Sequence, residues 1–305
     1  MPNASPRAGS NATFAAVIGH ADDADVLRRC IAHHLAIGVD RIFVSLNGGD
    51  AESAQVAREF AAAGVRAAAP ETFATDPFHY FTAAKDVVVE WAAPDWMLFV
   101  DSDEFWTPAS GSIRATAGLD ELDLIAAPRF NVPPVRESGG TLREVELADP
   151  ESTLVIGARK ALDAGALVRD PRTPWIMIED ARKIMVRPEL VAQVGRGAHD
   201  IAARGPVPRW AWPADLLILH LPFTTEARFR RKVDAIRARL ATYGPRFGPT
   251  QAWHWRRWLA LDYAGGLRAE YERQLFDAAD VPELLARGVL TTPARIFAGE
   301  HAACG

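Results

Sequence analysis

Through its first hundred residues the chain alternates short apolar runs with amphipathic stretches, and that alternation restricts the fold more than any other property of the sequence. "TFAAVIG" (13–19) reads as a buried strand closed by Gly19. "DDADVLRRCIAHHLAIGVD" follows with Val26, Leu27, Ile31, His34, Leu35 and Gly38 at helical spacing and Asp residues in its first turn. "RIFVSLN" (41–47) is a second strand, stopped by Asn47-Gly48-Gly49-Asp50. A helix over "AESAQVAREFAAAG", a weak strand "VRAAA", a helix from about Thr82 to Trp91 and a strand Trp96–Val100 complete the series. Strands and helices in this order predict a mostly parallel sheet with right-handed crossovers.

In such open sheets ligands bind beyond the carboxyl ends of the strands. Three of those ends carry polar residues: His20 with Asp22 and Asp23, Asn47 to Asp50, and the run Asp101-Ser102-Asp103-Glu104 inside "WMLFVDSDEFW". One cleft is therefore expected. Three carboxylates within four residues repel unless a cation, a proton or water relieves them. Carboxylate oxygens on one tight turn suit Mg²⁺ or Mn²⁺, with coordination positions left for a diphosphate, and the metal would then neutralise a departing phosphate. The apolar run before Asp101 and Phe105-Trp106 after it predict that this turn is fixed against a core.

The second half is less regular. "LDLIAAPRFNV" (122–132), "RKIMVRP" (182–188) and "DLLILH" (215–220) read as strands, and 133–175, rich in Pro, Gly and charge, reads as a loop-dominated insertion. From Thr225 the pattern is helical, with Phe229, Val233, Ile236 and Leu240 as an apolar stripe. The expected organisation is a polar tail over 1–12, one domain over 13–245 and a helical extension over 246–305. In "WHWRRWL" (253–259), Trp255, Trp258, Leu259 and Asp262 share a helical face, which reads first as core. An acceptor-stacking wall and a peripheral membrane contact through Trp and Arg are the alternatives.

A chain of 305 residues, 49% hydrophobic and 24% charged, can bury a large core. Its net charge of −5 argues against a nucleic-acid partner. Two cysteines, Cys30 and Cys304, suggest neither a disulfide framework nor a thiolate metal site. With no apolar h-region in "MPNASPRAGSNA" and no apolar run of membrane-spanning length, a cytoplasmic protein without an obligate protein partner is expected.

Four blocks in order carry a resemblance to family 2-type glycosyltransferases and their family 92 relatives: "HHLAIGVDRIFVSLNGGD", "WMLFVDSDEFW", "ARKIMVRPELVAQVGRGAH" and "LHLPFTTEARFRRKV". The similarity spans roughly residues 14 to 240. It implies a GT-A fold, that is, a Rossmann-like α/β architecture with a mostly parallel central sheet flanked by helices and, in this chain, a helical C-terminal portion. It implies a nucleotide-sugar donor (UDP- or GDP-linked) and a glycan, lipid-linked or small-molecule acceptor. Inverting transfer is the outcome by analogy. Against that pattern, Gly19-His20-Ala21-Asp22-Asp23 stands where such enzymes carry Asn-Glu.

Candidate roles follow. Asp101 and Asp103 are the metal carboxylates, and His220 is a third ligand or a hydrogen-bonded core histidine. Glu104 backs that site or caps the next segment. His20, Asp22, Asn47 and Asp50 face the donor. Lys183 and Lys232 contact its phosphates, Lys232 alternatively being one of several solvated charges, and His199 contacts a donor phosphate or the acceptor or is a buried structural residue. Asp180 or Glu179 is the general base that takes the acceptor proton, with Asp76 a further option. His33 and His34 read as packing. Two rival readings are a nucleotidyltransferase that makes the nucleotide sugar, and a degenerate transferase fold that only binds glycans or partners. "AVIGHADDAD", acidic and not a glycine-rich basic loop, speaks against the first.

Overall fold

The computed structural model describes residues 12–300 except 22, 49, 75, 77–78, 161–172, 180 and 248–251. The chain divides into two compact units, one of residues 1–129 and 181–219, the other of 130–180 and 220–305. The segment read as an insertion belongs to the same unit as the C-terminal helices.

The first unit is built on β1 (Phe14–His20), α1 (Ala24–Ala36), β2 (Arg41–Leu46), α2 (Ala51–Glu59), β3 (Val65–Ala68), α3 (Tyr80–Ala92), β4 (Trp96–Asp101), β5 (Glu104–Pro108) and β6 (Leu124–Ala127). A seven-stranded sheet runs in the order Trp210–Ala211, β6, Lys183–Val186, β4, β1, β2, β3. All neighbours are parallel except Lys183–Val186, which is antiparallel to both β4 and β6. The mostly parallel sheet flanked by helices, expected from the sequence, is thus present. All seven residues of β1 are buried, as a central strand covered on both faces requires. Alternate residues Ala15, Val17, Phe43, Met97 and Phe99 meet Phe81, Ala84 and Val88 of α3 on one face. Asp23 accepts from the Val26 amide to start α1, and Asp50 accepts from the Ser53 amide to start α2. Residues 122–132 do not form one strand: Pro128 has no N–H for a ladder, and the run breaks there into Leu124–Ala127 and Arg129–Asn131.

The helix α1 also holds a pH-sensitive group. His34 is fully buried, its Nδ1 2.8 Å from the Cys30 carbonyl oxygen, while Nε2 has no partner. Burial, with a smaller contribution from neighbouring His33, lowers its pKa from 6.5 to about 3. The unfolded chain takes up this proton near the ordinary value and the native state does not, so the stabilising contribution is complete above 6.5 and is lost as pH falls toward 3. Urea midpoints should therefore fall between neutrality and mildly acid pH, at about 1.4 kcal/mol per pH unit for a fully shifted group. His34→Leu should show a shallower slope, and an equal slope in the variant would discard this origin.

The second unit packs around aromatic rings. Trp175, Phe223, Phe229, Trp258 and Tyr271 lie in one buried cluster with Val233 and Ile236, and the Trp258 ring stands 5.2 Å from Phe229 and 5.8 Å from Phe223. The stripe on helix Glu226–Tyr243 is buried at Phe229, Val233 and Ile236, with Leu240 partly buried. Trp253 and Trp258 are buried, and Trp255 and Leu259 pack against the same cluster, so 253–259 is core. Because the Trp258 indole N–H is buried with no partner, Trp258→Phe removes both volume and an unmet donor. Thermal or urea unfolding should show a net loss of only about 1–2 kcal/mol. Among the described residues no helix is long and apolar enough to cross a membrane.

Candidate active site

Register brings the ends of three strands together. Gly19 of β1 pairs with Asp101 of β4, and His20 pairs with Leu46 of β2. The Asn47 amide donates to the His20 carbonyl at 2.6 Å, and Gly48 must be glycine because a Cβ there would collide with the Ala21 carbonyl oxygen. His20, Asn47, Asp50 and Asp101 therefore meet at one edge of the sheet, as the sequence indicates; Asp22 lies outside the described residues.

Between β4 and β5 the chain turns through Ser102 and Asp103, and Glu104 folds back so that its Oε2 accepts from the Asp101 amide at 2.9 Å. The Ser102 amide donates to the Gly19 carbonyl at 3.0 Å. The Ser102 hydroxyl lies 3.0 Å from His20 Nδ1, and the opposite ring nitrogen, Nε2, lies 2.7 Å from the Ser53 hydroxyl. His20 is buried. It thus ties the turn that carries both aspartates to the first turn of α2.

The charge balance of this turn differs from the sequence expectation. Lys183 is fully buried, with its Nζ 2.7 Å from Asp101 Oδ2 and 3.1 Å from Glu104 Oε2. Arg129 Nη1 lies 2.6 Å from Glu104 Oε1, and Arg129 Nε donates to the Ala181 carbonyl at 2.7 Å. Lys183, assigned from sequence to a donor phosphate, is committed to two carboxylates. Burial raises Asp101, but the charge and hydrogen bond of Lys183, together with the charge of Arg129, outweigh it and hold this carboxyl below its ordinary range. For Glu104 burial outweighs Lys183 and Arg129, and the pKa is raised. Burial lowers Lys183, yet Asp101 and Glu104 carry it above its ordinary value. Protons therefore go to Glu104 before Asp101. Among the described residues Lys183 and Arg129 are the cations that face Asp101 and Glu104. Asp103 and Glu104 are buried, whereas the Asp101 side chain is 42% exposed and is the open face of the cluster.

This donor set fits a hard divalent cation with limits. Among the described residues no three His, Cys, Asp or Glu side chains converge on one metal position. Asp101 and Asp103 supply hard oxygens, so the remaining ligands of such a cation would come from water and a bound diphosphate.

The other expected residues are placed as follows. His199 Nδ1 is 2.8 Å from the Arg182 carbonyl oxygen, held through a left-handed turn at Gly197. Asp76 lies 3.9 Å from the His79 ring, and the N-terminus of α3 has no side-chain cap. His33 Nε2 is 2.7 Å from the Trp106 carbonyl oxygen. In the second unit, Lys232 Nζ reaches the Pro222 carbonyl at 3.5 Å and Glu179 pairs with Arg159 at 3.3 Å. Asp180 lies outside the described residues. His220, also in this unit, is buried with Nδ1 2.8 Å from Asn131 Oδ1. Asn131 Nδ2 donates to both the Ile176 and Ile178 carbonyls, so its oxygen must accept from His220. Nδ1 of His220 therefore carries a proton.

Sequence reasoning missed Arg129, Ser53, Ser102 and Asn131. Arg129 had a visible signal, an arginine within the apolar run "LIAAPRFNV", because a buried guanidinium demands a carboxylate.

No family model and no curated protein matches the chain. Among solved structures it is similar to glucosyl-3-phosphoglycerate synthase from Mycobacterium tuberculosis. One of these, in complex with Mn²⁺, UDP and phosphoglyceric acid, is 15% identical over 63% of each chain with a TM-score of 0.33. Another, with Mn²⁺, UDP-glucose and phosphoglyceric acid, is 14% identical over 63% of this chain and 64% of that one, with a TM-score of 0.33. A mycobacterial protein is 17% identical over 63% of this chain and 60% of its own, with a TM-score of 0.32. The chain thus spans less than two thirds of the length of these structures. At this level of likeness the chemistry of the site rests on its own geometry.

Proposed function

We propose that the protein is a glycosyltransferase that moves a sugar from a nucleoside-diphosphate donor to an acceptor hydroxyl. The observation that carries this reading is the braced turn Asp101–Glu104 at the shared carboxyl edge of β1, β2 and β4, with Asp101 open and its neighbours locked. Asp101 and Asp103 would hold Mn²⁺ or Mg²⁺ together with the donor diphosphate. The cation would supply Lewis-acid stabilisation of the leaving diphosphate. Since Lys183 already sits on Asp101, the cation is expected to bind weakly alone and firmly with its diphosphate. Asn47 and Asp50 flank the donor, His20 holds the turn, and His199 is assigned to a donor phosphate.

In the transfer the acceptor oxygen forms a bond to the anomeric carbon as the carbon–phosphate oxygen bond breaks, and the acceptor proton passes to a carboxylate. We assign the outcome to inversion. UDP- and GDP-sugars are the donors in this reading, with a glycan, a lipid-linked sugar or a small molecule as acceptor and the cytoplasm as location. The relationship to family 92 rests on the sequence blocks alone.

A second reading, a nucleotide or glycan binder without turnover, draws on the Lys183 ammonium already seated on Asp101. A donor screen decides between them. Calorimetry with UDP and GDP, with and without Mn²⁺, should show binding only when metal and nucleotide are both present. Turnover of the matching nucleotide sugar should release nucleoside diphosphate and not pyrophosphate. Nucleotide binding without release would favour the second reading, and absence of any nucleotide binding would sink the transferase reading.

A further inference from the structure

The stretch 201–214, "IAARGPVPRWAWPA", contains two arginines and no acidic residue in a chain of net charge −5. Its strand Trp210–Ala211 is an outer strand of the seven-stranded sheet, next to β6. Trp96, Trp106 and Trp258 are fully buried, but Trp210 and Trp212 are 53% and 52% exposed and Val207 is 86% exposed. The two indole rings lie 5.1 Å apart. The Arg182 guanidinium sits 4.2 Å above the Trp212 ring. Arg209 is turned to Asp123 at 3.0 Å, whereas Arg182 and Arg204, both exposed, have no acidic partner among the described residues.

An outer strand ordinarily invites another strand to pair with it. Pro206, Pro208 and Pro213 deny that use here, since each lacks the N–H a ladder needs and together they bracket the pair of indoles. A wholly apolar partner is also a poor match, because cations sit beside and on the rings. What fits is a surface that is apolar beneath and anionic at the level of the guanidinium groups. Indole rings partition to that depth of a bilayer, and arginine there meets lipid phosphates.

We infer that Val207, Trp210 and Trp212, with Arg182 and Arg204, form an interfacial anchor for an anionic bilayer surface. The inference does not depend on the transferase reading. It also replaces residues 253–259, which are core, as the membrane-facing element. Because the rest of the protein is net acidic, this basic patch fixes which side approaches the lipid.

Vesicle flotation of the full chain tests it. Binding is expected to vesicles of phosphatidylcholine with added phosphatidylglycerol, not to phosphatidylcholine alone, and raised salt should release it. The double variant Trp210→Ala/Trp212→Ala should weaken partitioning by roughly tenfold or more. Arg182→Gln should weaken it by about fivefold, the effect of one basic residue near an anionic surface. Since all three side chains are exposed, circular dichroism and unfolding midpoints should match the parent and confirm that the variants fold. No binding to anionic vesicles, or parental binding by the double variant, overturns the inference. Quenching of the fluorescence of these tryptophans by soluble oligosaccharides, without vesicle binding, would assign the patch to carbohydrate and overturn it equally.

Discussion

Replacing Glu104 with alanine is expected to lower the stability of the first unit by about 3–5 kcal/mol, the range for breaking a buried ion pair from one side. Glu104 and Lys183 are fully buried and Arg129 nearly so, and Glu104 touches both cations. Its removal takes a buried carboxylate from each of them and also strips the Asp101 amide of its acceptor. Glu104→Gln should cost less. The amide keeps the volume and an acceptor, and a group whose pKa is already raised by burial has less charge stabilisation to lose. Urea unfolding followed by circular dichroism measures both variants. An alanine effect under about 1 kcal/mol would mean that water re-enters and solvates the two cations, contrary to the packing described.

The second large effect concerns turnover. If the leaving diphosphate is stabilised at Asp101 and Asp103, deleting either carboxylate removes several kcal/mol of transition-state stabilisation. That corresponds to a loss of about two to three orders of magnitude in donor consumption. The two variants should differ in their side effects. Asp101→Ala releases Lys183 from its 2.7 Å contact, so a loss of stability accompanies the loss of activity. Asp101→Asn retains an oxygen for the ammonium and separates the two losses. Initial rates of nucleoside diphosphate release, measured beside unfolding midpoints, give the comparison. Parental turnover in Asp103→Ala would falsify the assignment of this turn to the diphosphate.

Particular residues show where a sequence stops being readable. β1, β2 and β4 were visible because they are short, apolar and punctuated by Gly19, Asn47-Gly48 and Asp101. The edge at which their ends meet followed from topology alone. The stripe Phe229-Val233-Ile236 was visible through its helical period. The counter-ions were not: Lys183 lies 82 positions from Asp101 and Arg129 lies 25 from Glu104, and no local period reports a pairing across such distances. The same holds for His20, whose two hydroxyl partners come from a helix and a turn 33 and 82 positions away. The two-unit division was hidden because the described residues of 130–160 carry only short strands, and Trp175 joins a core made mostly of C-terminal helices.

The placement of strand Lys183–Val186 has a consequence for synthesis. Residues 14 to 101 can assemble β3, β2, β1 and β4 soon after they leave the ribosome. The strand that joins β4 to β6 is made only some eighty residues later. During that interval β4 keeps a bare edge, a state that invites association with other chains. Glu104 and Asp101 wait through the same interval without Lys183. When the strand emerges, one insertion both closes the sheet and delivers the buried ammonium, so the acidic turn gains its order at the moment the nascent chain stops being vulnerable.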